Sequence, residues 1–398
     1  MKLSNVKKSL PEIWFLFAFG VGAIQLLSLI FSYDPFLIER VLSLALSAGL
    51  LLVLFRSSQQ FVFKRSKLTT ACCLLLVLLF LLFKSSTTYP APFASFLFLL
   101  IITLQYASWN GQMSNSQIRL NKRIFRYLLL VLSILFISQN KIWFQLGDRF
   151  VGFFGSPTTF ATWLAALFLF CYFQSPSNTR SKNKEALICW IVVSFFVYTS
   201  GTRVNLIFMI IALALIFNPL TLTNKSRALI ITINVILIFF VYPIYTFLSG
   251  YVESSVLAFR YSDGADTSFG LRSVLFSTVF ENFINTGTWG ILFGNGAESS
   301  RDLIKTLWGA DLYPHNDILR IMYDFGVFFV TGFTCLIVYL GSRNTLAMLL
   351  TMLYVFSFLH NMIYSPFLIA LIVTASTLST KKYQNKHQLT LQNSVSHP

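Results

Sequence analysis

Charge is scarce in this chain, and acid is scarcer than base. Of 398 residues, 11% are charged, with 14 acidic side chains against 30 basic ones and only four histidines. The sequence has no phosphate-binding glycine loop, no HExxH, no GxSxG and no DxD pair of the kind that holds a metal–nucleotide sugar. The nearest approach to the last, Asp263 to Asp266 in DGAD, has the wrong spacing. Neither ATP nor a metal is therefore indicated, and no cofactor is expected. The five cysteines, Cys72, Cys73, Cys171, Cys189 and Cys335, all lie inside apolar runs, without disulfide or metal spacing, and read as small buried hydrophobes. Ten-residue strand-like alternation is missing too, which argues against a β-barrel.

Apolar residues are abundant instead. They make up 56% of the chain, with 43 phenylalanines, and the mean hydropathy is +0.70. A soluble domain of this length could not hide that much apolar surface. Long apolar runs between short polar stretches predict an all-α, polytopic integral membrane protein, a single helical domain over 1–398. About twelve transmembrane helices are expected, at 13–32, 36–55, 68–83, 91–109, 124–138, 158–174, 186–199, 204–217, 228–248, 317–340, 344–360 and 362–380. The first follows Lys2, Lys7 and Lys8 and is too long for a typical signal-peptide core, so it reads as a retained span.

The net charge of +16 invites a nucleic-acid reading, but its distribution points to topology. With the N-terminus in the cytoplasm, 20 of the 30 basic residues and only Glu12 and Glu185 of the acidic ones fall inside. That leaves about +18 inside and about −2 outside, the positive-inside bias of a membrane protein with both termini cytoplasmic. No nucleic-acid partner is implied; membrane lipids are.

One external connection is long. Residues 249–314 form a loop of about 65 residues, predicted to be external and to carry short amphipathic helices. In LRSVLFSTVFENF, Val274, Leu275, Phe276, Val279, Phe280 and Phe283 fall mainly on one face, suited to lying on a membrane surface. SSRDLIKTLW opens with a capping-box pattern, Ser299 with Asp302.

The external face gathers cations. Arg149 follows the fifth span, Arg203 begins the eighth, and the loop adds Arg260, Arg272, Arg301 and Lys305 before ending in YPHND. A guanidinium makes bidentate, charge-assisted hydrogen bonds to phosphate and stays ionised. Arg203 adds the free N–H groups and positive dipole of a helix start. A snorkelling interfacial arginine is the competing explanation for it, and solvated loop charge is the better reading of Arg260, Arg301 and Lys305. His315 precedes Asn316 and Asp317 at the start of the tenth span. Helix capping accounts for the asparagine and aspartate but not for the histidine, which is a candidate general base. His360, before Asn361, is a weaker candidate of the same kind.

These residues carry a resemblance. YPHNDILRIMYDFGVFFVTGF resembles the histidine–asparagine signature of the O-antigen ligase/polymerase superfamily, with Leu319, Gly326 and Gly332 trailing it. TSGTRVNLI is similar to that family's Ser-Arg helix start, with Thr202 where serine is common. RFVGFFGSPTTFA resembles its Arg-x-x-Gly-x-x-x-x-Pro-x-x-x-Ala element, with Thr158 where asparagine is frequent. FGLRS and WGILFGNGAES resemble its loop arginine and Gly-x-Gly segment, all in the expected order between residues 149 and 332.

The resemblance implies a metal-independent bacterial inner-membrane glycosyltransferase working at the periplasmic face on an undecaprenyl-diphosphate-linked glycan donor. A polymerase passes the chain to the next lipid-linked repeat unit, and a chain-length regulator protein is a further expected partner. A ligase passes it to lipid A–core. Polymerase is the preferred expectation and ligase the alternative. A lipid-linked glycan flippase is a third reading, disfavoured because nearly all charges lie at span ends or in loops. In the site so implied, Arg203 and Arg272, with Arg149 as a third, bind the diphosphate; His315 is the base, and Asp317 is a candidate to orient it.

Overall fold

A computed structural model describes residues 12–25, scattered positions between 41 and 49, and then 113–145, 149–154, 156–173, 180–217, 222–252, 267–309 and 312–378. The expected spans at 36–55, 68–83 and 91–109 fall almost wholly outside the described residues, as do Asp148, Arg260, the DGAD segment and both charged termini.

The described chain is mostly helical. In order come α1 (Glu12–Gln25), α2 (Asn115–Ser138), α3 (Pro157–Tyr172), α4 (Arg180–Thr199), α5 (Arg203–Phe217), α6 (Asn224–Val252), α7 (Thr267–Ile284), α8 (Gly287–Phe293), α9 (Ser299–Trp308), α10 (Asp317–Gly341), α11 (Thr345–Phe356) and α12 (Pro366–Thr377). A two-stranded hairpin, β1 (Phe144–Gln145) and β2 (Arg149–Phe150), sits between α2 and α3 and pairs Gln145 with Arg149. Segments of α6 (Asn224–Ile244) and α10 (Asp317–Gly341) are long and apolar enough to cross a bilayer; α1, α3, α5, α11 and α12 are shorter apolar helices.

Local sequence sets the helix ends. Ser114 caps α2 in a reciprocal capping box with Gln117. Ser156 accepts from Thr159 N–H ahead of Pro157, whose fixed φ suits the first turn of α3. α3 is apolar on every side, and thirteen of its sixteen residues are buried, which makes it a central helix. Trp163 on it donates its indole N–H to Ala18 O at 2.6 Å, fastening α1. α11 and α12 are similarly enclosed.

The helices alternate in direction. At one end Tyr172 meets Glu185, Arg227 donates to Ser342 O at 2.8 Å, and Asn344 donates to Ala375 O at 2.6 Å. This end collects the starts of α4 and α6 and the α10–α11 turn, with their basic residues. At the other end lie the starts of α5, α10 and α12. Phe208 in α5 touches Phe356 at the close of α11, and Ile363 N–H, just before α12, reaches Asp317 at 2.8 Å.

Apolar side chains also face outward. Tyr127, Leu130, Ile134 and Ile137 of α2, Ile188, Ile191, Phe195 and Tyr198 of α4, and Leu229, Ile233, Ile236 and Phe240 of α6 are exposed at helical spacing.

Helix α10 is broken at Gly326 (φ 83°, ψ 171°). The break frees carbonyls that a continuous helix would use, and the loop supplies donors: Asn295 N–H to Tyr323 O at 3.0 Å and Gly296 N–H to Asp324 O at 2.9 Å. Close approach requires glycine on both sides. A Cβ on Gly294 would lie 2.3 Å from Asp324 O, and one on Gly326 would lie 2.3 Å from Leu292 O. Around Gly332 there is open space. Gly326→Ala is therefore expected to cost about 3 kcal/mol or more, from left-handed strain plus backbone collision, while Gly332→Ala is neutral or slightly stabilising. Thermal unfolding of the two purified variants in detergent checks this; equal midpoints would contradict the packing described.

Two loop expectations need correction. On α7, Leu275, Phe276, Val279 and Phe283 are buried, but Val274 and Phe280 are exposed. The helix packs its apolar face on α6 and α10, so the six residues do not form one outward stripe. At α9 there is no Ser299–Asp302 box. Glu298 precedes the helix in a left-handed conformation without side-chain capping. The cap comes from across the fold: the Asp324 carboxylate accepts Ser300 N–H at 2.8 Å, Glu298 N–H at 3.1 Å and Ser299 Oγ–H at 3.2 Å. A carboxylate on another helix satisfies those donors better than a local aspartate on the exposed side.

Candidate functional site

The sequence YPHND folds into the sharp entry to α10. His315 takes φ 52°, a left-handed conformation that costs a non-glycine residue on the order of 1 kcal/mol. Its neighbours hold it there. Asn316 caps α10 by accepting Leu319 N–H at 3.2 Å. Its amide also donates to Ile238 O at 3.1 Å and Phe239 O at 3.3 Å on α6. Pro243 lies inside α6 and, lacking an N–H, cannot satisfy the carbonyl four residues earlier, Phe239. Asn316 fills that gap. Tyr242 then donates its hydroxyl to His315 O at 3.1 Å.

Arg272, half-buried on α7, hydrogen-bonds the same Tyr242 hydroxyl and acts electrostatically on His315. Burial, and then the Arg272 charge, lower the His315 pKa to about 4, so its ring is neutral at pH 7. Asn361, also left-handed at φ 58°, places its Nδ2 3.2 Å from His315 Nδ1. His360 adjoins it, its Nε2 buried without a hydrogen-bond partner. Five side chains from α6, α7, the α10 entry and the turn that follows α11 thus converge.

Arg149 and the turn that leads into Arg203 come together at a second point. Gly201 (φ 70°) turns the chain from α4 to α5, and a Cβ there would stand 3.0 Å from Arg149 Nε. Arg149 therefore lies against the turn that carries Arg203, the exposed first residue of α5. Ser200 and Thr202 share a 2.8 Å hydrogen bond inside this turn, and Asn205 donates to Thr162 at 3.0 Å, anchoring α5 to α3. The turn lies at the same end of the bundle as His315.

Asp317 does not go to His315. It is fully buried, accepts Ile363 N–H, and stands 3.7 Å from Arg320. Its place is in an ion network that also contains Glu298, bonded to Arg320, and Asp324. The Arg320 guanidinium stacks over Tyr313 at 4.0 Å and Tyr364 at 4.9 Å. This network pins the loop to α10 rather than serving the histidine. Among the described residues no cluster of three or more His, Cys, Asp or Glu is placed to hold a metal.

Comparison with protein-family models, with curated proteins and with solved structures finds no match for this chain.

Tyr242 and Asn361 were not legible as site residues. Neither is charged, and each reaches the site from a segment far away in sequence. Arg320 and Asp324 carried a signal: with Asp317 they repeat at i, i+3 and i+7, one face of a helix, a costly stripe unless paired.

Proposed function

We propose that this chain is an inner-membrane glycosyltransferase that polymerises undecaprenyl-diphosphate-linked repeat units at the periplasmic face. The observation that carries the reading is the meeting of His315 with Arg272 at the bundle end that also holds Arg149 and Arg203. The outward apolar faces of α2, α4 and α6 support a lipid surround, and the basic residues gathered at the opposite end support the positive-inside orientation. Twelve spans with both termini cytoplasmic complete the proposed topology.

In the reaction, an acceptor sugar hydroxyl attacks the anomeric carbon of the donor, the bond to the diphosphate oxygen breaks, and undecaprenyl diphosphate departs. Arg203, Arg272 and Arg149 stabilise the charge growing on that leaving group. His315 takes the acceptor proton or orients the groups that exchange it. No metal is required for these steps.

The break in α10 and its buried charges are features a transporter would use. Here the freed carbonyls accept from Asn295 and Gly296, and the charges pair with one another, so the break docks the loop.

Surface lipopolysaccharide from a strain lacking the chain tests the reading. Core plus a single repeat unit is the expected result. Bare core, with long chains held on the lipid carrier, would mean ligase; an unchanged ladder would overturn both.

A further inference from the structure

We infer that Asn361 is a positioning residue that holds His315 in the tautomer with its proton on Nε2, so that His315 serves the leaving diphosphate as a hydrogen-bond donor and is not the base. The inference rests on the reading of this site as a glycosyl-transfer centre, and it changes the part that His315 plays there.

An amide nitrogen only donates. Asn361 presents its Nδ2 3.2 Å from His315 Nδ1, an arrangement in which Nδ1 offers its lone pair and a neutral imidazole carries its proton on Nε2. The contact is held from both sides. His315 and Asn361 are two of the four described non-glycine residues with positive φ, and strained residues of this kind persist only where their surroundings fix them. Tyr242 holds the His315 carbonyl. Burial, and after it the Arg272 charge, oppose an imidazolium at this position. A ring kept neutral, with its basic nitrogen already occupied, is a poor proton acceptor. Beside an arginine suited to diphosphate it is a good second donor to the same anion.

The balance closes without another reactant. The acceptor oxygen forms its bond to the anomeric carbon as the carbon–oxygen bond to the diphosphate breaks. The electron pair goes to the diphosphate oxygen, which His315 Nε2–H and Arg272 stabilise by hydrogen bonding. The acceptor's proton ends on the departing diphosphate, and His315 keeps its own.

The test is nitrogen NMR on full-length, detergent-solubilised protein labelled with 15N-histidine. The chain has only four histidines, and His315→Gln assigns the signal. At pH 7 the His315 ring should show a bare Nδ1 and a protonated Nε2. Asn361→Asp, whose carboxylate only accepts, should move the proton to Nδ1 and raise the pH at which the ring titrates. It should also lower glycan transfer with purified lipid-linked repeat units by roughly 10²–10³-fold, the range for losing one aligned donor. Asn361→Leu should let the two tautomers mix. Wild-type His315 with its proton on Nδ1, or a tautomer unmoved by Asn361→Leu while the other three histidine signals stay native, would overturn the inference. Should a variant fail to fold, the wild-type spectrum still decides the tautomer. The spectrum needs no substrate. A bare Nδ1 without any transfer of lipid-linked glycan would reject the glycosyl-transfer reading and the donor role with it, leaving only Asn361's hold on the ring.

Discussion

Arg272→Ala and His315→Ala proteins should reach the membrane at normal levels and yet leave cells with core plus one repeat unit. The two residues lie in one cluster, joined through the Tyr242 hydroxyl, which bonds Arg272 and the His315 carbonyl, and neither side chain is needed to fill the hydrophobic core. Removing one preorganised donor to a developing anion costs about 10²–10³ in rate, enough to erase a ladder built by many successive transfers. Arg272→Lys keeps the charge but loses the planar fork, so it should rescue only in part. Lys305→Ala, an exposed lysine on α9, should give a full ladder and serves as the control. A full ladder from either Arg272→Ala or His315→Ala would remove the proposed site. Arg203→Ala tests the second cluster separately: a snorkelling arginine would be dispensable, a diphosphate ligand would not.

Much of this arrangement was legible before any coordinates. Helical class and helix positions followed from the period and length of apolar runs, and α2 to α6 and α10 to α12 lie close to the expected spans. The break at Gly326 did not follow. A glycine inside an apolar helix carries no sign of whether the chain bends there; what forces the bend is Gly294 arriving from a loop more than thirty residues earlier. The cation-and-histidine theme of the site was readable because charged groups are rare in this chain. The partners that fix their geometry were not, since Tyr242, Asn316 and Asn361 are ordinary residues whose meaning depends on tertiary proximity. Asp317 shows the limit of adjacency. Two residues from the histidine, it points to Ile363 and Arg320 because a helix start turns successive side chains to different faces.

Arg320→Ala should be the most destabilising single substitution in the loop-to-helix junction. Arg320 is 3% exposed, and around it Glu298, Asp317 and Asp324 are exposed by 2%, 0% and 0%. Three buried carboxylates and one guanidinium are tolerable only while the guanidinium is present. Deleting it leaves carboxylates without their counter-charge, which typically costs 3–5 kcal/mol, and also removes the guanidinium over Tyr364 and the nearer of the two over Tyr313. The expected fall in melting midpoint in detergent is roughly 5–10 °C. The network ties Glu298, ahead of α9, to α10, so the loss should be local first: protease should cut between α8 and α9 before the helical bundle opens. Glu298→Gln combined with Arg320→Met removes a charge of each sign but leaves Asp317 and Asp324 without their cation, so it should recover only the share of the loss owed to Glu298. An Arg320→Ala protein that melts with the wild type, with α9 still protected, would mean that the carboxylates reach water or take up protons cheaply. The loop would then be held by the Gly294–Gly326 backbone contact alone. If instead both Arg320→Ala and Gly326→Ala release α9, the junction is cooperative, and the His315 entry is built on a mount secured at two points.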